Sequence, residues 1–154
     1  MDPVFKKMNA KDHKEITVLQ APESFRANMA AMGEEVRFSE DLHAVTETAF
    51  VVAFVTRQEE IDALAPKIVP KLAGDALLWF CYPKGSSKKY RCDFNRDSGW
   101  QILGDLGLEP VRQVAIDEDW SALRFRRVQF IKNITRSADF AMTKEGKKRT
   151  TGKK

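Results

Sequence analysis

From Pro83 the chain reads PKGSSKK and then Tyr90, and within it one glycine, two serines and three lysines stand side by side. Those residue types suit the capture of an anion. Glycine lets successive backbone N–H groups turn to one side, hydroxyls add short-range donors, and lysines add charge. Lys84, Ser86 and Ser87 are therefore the residues expected nearest to a bound phosphate or carboxylate. The stretch lacks the G-x-x-x-x-G-K-[ST] frame of a P-loop. A solvated connection is the plainer alternative, since polar loops are the norm on surfaces.

Other polar clusters carry less. Asp117, Glu118 and Asp119 could form an acidic or metal-binding group, but consecutive residues point in different directions and tight acidic turns are common. Trp120 follows at once, and a large aromatic residue in a polar turn either caps the core or presents its face to a ligand. His13 and His43 lie in polar segments with no nucleophile beside them. Cys81 and Cys92 have neither C-x-x-C spacing nor a nearby histidine, so both read as free thiols and no metal ligand is assigned. Arg124, Arg126 and Arg127 either form the exposed side of a hairpin or reach over a sheet edge toward an anion.

The elements that must position these residues follow from apolar periodicity. EITVLQ (15–20) predicts a strand, and APESFRANMAAM predicts a helix with Pro22 and Glu23 in its first turn and Gly33 at its end. EVRFSED (35–41) alternates like a half-exposed edge strand. FVVAFVT (50–56) and DALLWFCY (75–82) are apolar without alternation, the mark of strands buried on both faces. Between them Ile61, Leu64, Ile68 and Leu72 make a helical stripe expected to end at Gly74 and to kink or break at Pro66 and Pro70. Trp100, Leu103 and Leu106 predict another helix, stopped by Gly107, and PVRQVAI with ALRFRRV predicts a closing hairpin. Strands separated by helices, with connections too long for hairpins, make a mostly parallel sheet covered on both sides.

The order strand, helix ending in LAG, LLWF strand, helix ending in LGLEPV and hairpin resembles the second half of class I S-adenosylmethionine-dependent methyltransferases. VLQAPESF, YPKGSS and DWSALRF resemble a family of small bacterial proteins described only as a domain of unknown function. These resemblances imply a three-layer α/β Rossmann-like sandwich, its sheet in the order 2-1-3-4-6-5 with an antiparallel hairpin strand. They imply no demonstrated activity. In the methyltransferases a glycine-rich loop follows the first strand and an acidic residue ends the second. Here Gln20, Ala21, Pro22 and Glu23 follow the first strand, no glycine precedes Gly33, and Asp41 in a charged segment reads as ordinary surface.

Open parallel sheets bind ligands beyond the carboxyl ends of the strands, where strand order reverses. On that geometry Glu23 approaches from one side and Thr56 and Arg57 from the other, with the lysine loop as neighbour. The candidate ligand-binding set is thus Glu23, Thr56, Arg57, Lys84, Ser86, Ser87 and Trp120, with no catalytic residue assigned and the cofactor left open. The expected function is a binding module that holds a small anionic ligand or a protein partner. A methyltransferase with an atypical cofactor loop, or a nucleic-acid-associated protein, is the alternative.

Charge location limits the last alternative. Of the chain's formal +4, residues 141–154 carry six basic residues against one acid, which leaves residues 1–140 at −1. The domain is placed at 1–136 and a basic, mobile tail at 137–154. No apolar run reaches the ~20 residues a membrane span needs, and the first residues lack a signal-peptide core, so a cytoplasmic protein is expected. Any nucleic-acid contact should be weak, non-specific and confined to the tail. Deleting residues 141–154 is accordingly expected to abolish nucleic-acid retention at low salt while leaving the melting temperature unchanged. Retention that survives the deletion would place a basic face on the domain.

Overall fold

The computed structural model describes residues 1–131. The expected boundary at 136 and the tail 137–154 lie outside them. Six strands form one sheet in the order β2-β1-β3-β4-β6-β5. They are β1 (Glu15–Leu19), β2 (Arg37–Ser39), β3 (Thr48–Phe54), β4 (Leu72–Pro83), β5 (Leu108–Ala115) and β6 (Trp120–Arg127). β2, β1, β3 and β4 run parallel, and β6 pairs antiparallel with both β4 and β5. This is the α/β Rossmann-like sandwich with its antiparallel hairpin.

The core has two halves because β3 and β4 are apolar on both faces. One half packs Phe50, Val52, Phe54, Trp79 and Cys81 against α1 (Pro3–Lys7) and α2 (Arg26–Ala30) through Phe5, Met8 and Met29. The other packs Val51, Ala53, Leu78 and Phe80 against α3 (Gln58–Ile68) and α4 (Gln101–Asp105) through Ile61, Ala65, Ile68 and Leu103. The parallel register sets Val52 beside Trp79 and Ala53 beside Phe80, so each strand contributes alternately to the two halves.

Several local expectations need correction. α1 was not anticipated, although Asp2-Pro3 is a cap followed by a residue whose missing N–H costs nothing at N1. The Asp2 carboxylate accepts from the N–H groups of Val4 and Phe5 at 3.0 and 3.1 Å, and Asn28 donates to it from α2. Docking is completed where the buried Trp79 indole donates to the Met8 carbonyl at 3.1 Å. The helix predicted after β1 is a 3-10 turn (Glu23–Phe25) followed by α2, which ends at Ala30 rather than at Gly33. Pro66 lies in the last turn of α3 without ending it, and the break comes at a 3-10 turn containing Pro70 (Val69–Lys71). Gly74 does not stop that helix. It lies inside β4 with φ +54°, so the strand starts several residues earlier than its apolar run.

Val52 is fully buried between β1 and β4. Val52→Asp would bury an unpaired carboxylate and should lower the unfolding free energy by about 4 kcal/mol. Denaturant titration gives the check, and an unchanged midpoint would contradict the central placement of β3.

Candidate functional site

The parallel strands β1, β3 and β4 end along one edge, and two polar groupings lie there, the first at the crevice position of such sheets. The first lies between β1 and β3, where strand order reverses. Gln20, the residue after β1, adopts φ +60°, a left-handed conformation rare for a residue with a side chain. Its amide donates to the Phe54 carbonyl at 2.7 Å and to Glu60 Oε2 at 3.0 Å. Glu60 Oε1 in turn accepts from Thr56 N at 2.8 Å, Thr56 Oγ1 at 3.2 Å and Arg57 N at 3.1 Å. Glu60 is the third residue of α3, so its charge also sits at the positive end of the helix.

These bonds decide what that crevice position can hold. Bound S-adenosylmethionine would need the backbone after β1 to approach it closely, and a side chain stands there tied across to β3 and α3. Asp41, the acid considered for the end of β2, is occupied in a local turn, accepting from His43 N at 3.0 Å. The residues present do not fit that cofactor in that crevice. Thr56 and the Arg57 backbone are bound to Glu60, the Arg57 guanidinium pairs with Glu59 at 3.3 Å, and Glu23 is exposed.

The second grouping lies beyond β4. Residues 84–99 leave the strand at Pro83 and are fastened at several points. Lys84 N donates to the Asp119 carbonyl at 2.8 Å, and Ser87 Oγ donates to the Asp119 carboxylate at 2.8 Å while accepting from Tyr90 N at 3.1 Å. Farther on, Asp93 accepts from Gln58 N at 2.7 Å, so an aspartate caps α3 from outside the helix. Phe94 is buried against Tyr82 and Trp100, with ring centroids 5.9 and 5.0 Å apart. The Trp100 indole donates to the Asn95 carbonyl at 2.9 Å. The acidic turn after β5 is explained by the same region, for Asp117 Oδ1 accepts from Asp119 N and Trp120 N, both at 2.8 Å.

Between this loop and the ends of β4, β5 and β6 is a cleft of about 480 Å³. Lys84, Arg91 and Arg96 line it, together with Gly85, Ser86 and Ser87, and no carboxylate is among the described residues of its wall. The turn at its rim is closed by Ser87 N donating to the Lys84 carbonyl at 3.0 Å, which uses neither the Gly85 N–H nor the Ser86 N–H. Also lining the cleft, Gln113 donates from Nε2 to the Tyr82 hydroxyl at 2.9 Å and accepts at Oε1 from Arg96 at 3.4 Å. Burial pushes the Tyr82 phenol above its ordinary value, partly offset by Arg96, so this group faces the cleft as a neutral phenol at neutral pH. Cys92 also lines the cleft, and burial raises its thiol.

The candidate residues thus fall into separate places. Lys84, Ser86 and Ser87 share the cleft, whereas Thr56 and Arg57 meet at Glu60 and Glu23 stands exposed in the 3-10 turn that precedes α2. Trp120 lines neither. It is buried, with its ring 5.1 Å from Phe54 and 4.8 Å from Tyr90, and its indole N–H has no hydrogen-bond partner among the described residues. Sequence reading missed Arg91 and Arg96, although they continue the basic run by a few residues. It also missed Gln113 and Ser121, which reach the wall only through the pairing of β5 with β6. The joint role of Gln20 and Glu60 carries no sequence signal, since forty positions separate them.

The fold is that of class I methyltransferases. A SAM-dependent methyltransferase from Aquifex aeolicus matches with TM-score 0.57 at 13% identity, over 81% of this chain and 88% of that one. Haemonchus contortus phosphoethanolamine N-methyltransferase 2, solved with S-adenosyl-L-methionine, matches with TM-score 0.53 at 12% identity over 91% of this chain. The chain spans 40% of that enzyme's length. No family model matches the chain, and no curated protein matches it in sequence. Among the described residues no helix is long and apolar enough to cross a membrane, and no group of three or more His, Cys, Asp or Glu is placed to hold a metal ion.

Gly99 keeps the loop in place. Its φ is +92°, and a Cβ there would lie 2.7 Å from Phe94 Cβ, an overlap that only a backbone shift relieves. Gly99→Ala should therefore cost about 2 kcal/mol and displace Phe94 from its pocket. Thermal unfolding and the ring-shifted resonances of Phe94 and Trp100 test this, and an unperturbed variant would show the loop to be held differently.

Proposed function

We propose that this protein is a small cytoplasmic binding module on a methyltransferase-like sheet, and that it holds a small anionic ligand at the carboxyl edge of the strands. The observation that carries the reading is the cleft beyond β4, where Lys84, Arg91 and Arg96 face one space without a carboxylate in its wall. Like charges that share one space repel one another, and an anion between them lowers that cost. Backbone donors at the Gly85 turn supply direction, which lysines alone do not. The loop is fastened through Asp119 and Asp93 before any ligand arrives, so little ordering entropy opposes binding.

A methyltransferase with an atypical cofactor loop is the second reading, and the fold likeness to methyltransferases supports it. Against it stands the Gln20–Glu60 bond across the crevice that such a cofactor would need. Calorimetric titration with S-adenosylmethionine is expected to give no micromolar binding. Phosphate and sulfate should produce saturable amide shifts clustered in residues 83–96. Micromolar affinity for S-adenosylmethionine would favour the second reading, and uniform small shifts that vanish at moderate salt would leave a solvated loop.

A further inference from the structure

The cleft has more room and more charge than a single small anion uses. We propose that its ligand is a phosphate monoester carrying a polar organic body of sugar or nucleoside size. This rests on the anion-binding reading above and narrows it to one chemical class.

Charge selects the phosphate. Lys84, Arg91 and Arg96 line one space. Asp97 reaches Arg96 only in an exposed contact at 3.6 Å, which neutralises little. A carboxylate would answer one of the three cations. A phosphate monoester, at about −1.5 to −2 near neutral pH, answers most of the charge and offers three oxygens. Guanidinium groups match those oxygens in pairs, and turn N–H groups beside Gly85 match the remaining one. Apart from the residues next to it in the chain, nothing would stand within 4 Å of a Cβ added at Gly85, so the rim there is open to close approach.

Volume selects the ester over free phosphate. A cleft of about 480 Å³ is in the range that organic ligands fill, and inorganic phosphate would leave most of it to water. The wall away from the turn is neutral and hydrogen-bonding rather than charged. It presents the Gln113 amide, the Tyr82 hydroxyl and Ser121. Such groups suit the hydroxyls of a sugar or the edge of a base, and Gln113 already bridges Tyr82 to Arg96, linking the neutral wall to the cationic one.

The test titrates the full chain, by calorimetry and amide shifts, with ribose 5-phosphate, adenosine 5′-monophosphate, inorganic phosphate and adenosine. At least one ester should bind about tenfold or more tighter than inorganic phosphate, and adenosine should bind about tenfold or more weaker than its monophosphate. Lys84→Gln and Arg91→Gln should each weaken the ester about fivefold or more, while Arg37→Gln, on the far edge strand, should not. Inorganic phosphate binding as tightly as both esters would overturn the ester proposal and leave the anion-binding module standing. Adenosine binding as tightly as its monophosphate would overturn the role given to the phosphate. If none of the anions binds, the ester proposal and the anion-binding reading fall together.

Discussion

β3 and β4 lie side by side with side chains buried on both faces, and the rest of the molecule follows from that requirement. Val51, Val52, Ala53, Leu78, Trp79 and Phe80 are all sealed from water. A strand pair of this kind is stable only between two covering layers, because an uncovered face would leave several large apolar side chains in solvent. α1 and α2 supply one cover, α3 and α4 the other. The connections needed to place them make β1, β3 and β4 parallel, and parallel strands deliver their carboxyl ends, with the loops that follow, to a single edge.

At that edge the chain treats two polar groupings in opposite ways. Between β1 and β3 the backbone donors and side-chain amide are satisfied internally, with Glu60 accepting four hydrogen bonds from Gln20, Thr56 and Arg57. A carboxylate so placed also neutralises the start of α3, which gives the closure an electrostatic reason beyond its bond count. Next to β4 no carboxylate lines the cleft, and Arg96 meets only Gln113 and, in an exposed contact, Asp97. Asp119 and Asp93 anchor the loop from behind, and the cations it carries face a space without acids. The methyltransferase-like fold is thus retained with a Gln20–Glu60 bond standing after β1 and a cleft lined by cations standing after β4.

How far this could be read beforehand differs by residue. The buried strands were legible because a continuous apolar run has one stable setting. The sheet order was not in the local pattern; it came with the resemblance of the strand and helix succession to known folds. α1 was overlooked because five residues make too short a period to recognise, and its stability comes from the Asp2 cap and the Trp79 bond to Met8. Gly74 misled because glycine with positive φ serves a helix end and an irregular strand start equally well.

By itself the sequence determined which segments must be buried, that helices must cover both sides of a mostly parallel sheet, and that a cationic turn follows a strand expected to end at Tyr82, one residue short of the observed end at Pro83. Each of these is a property of neighbouring residues, set by hydrophobic periodicity and backbone freedom. The tertiary structure alone decided that Gln20 meets Glu60, and that Lys84, Arg91 and Arg96 share one cleft with Gln113 and Ser121. Those meetings depend on strand order and register, which bring together residues from β4, β5 and β6 and the loops between them. No local pattern encodes such distances, because they are fixed only when the two covering layers close on the central pair.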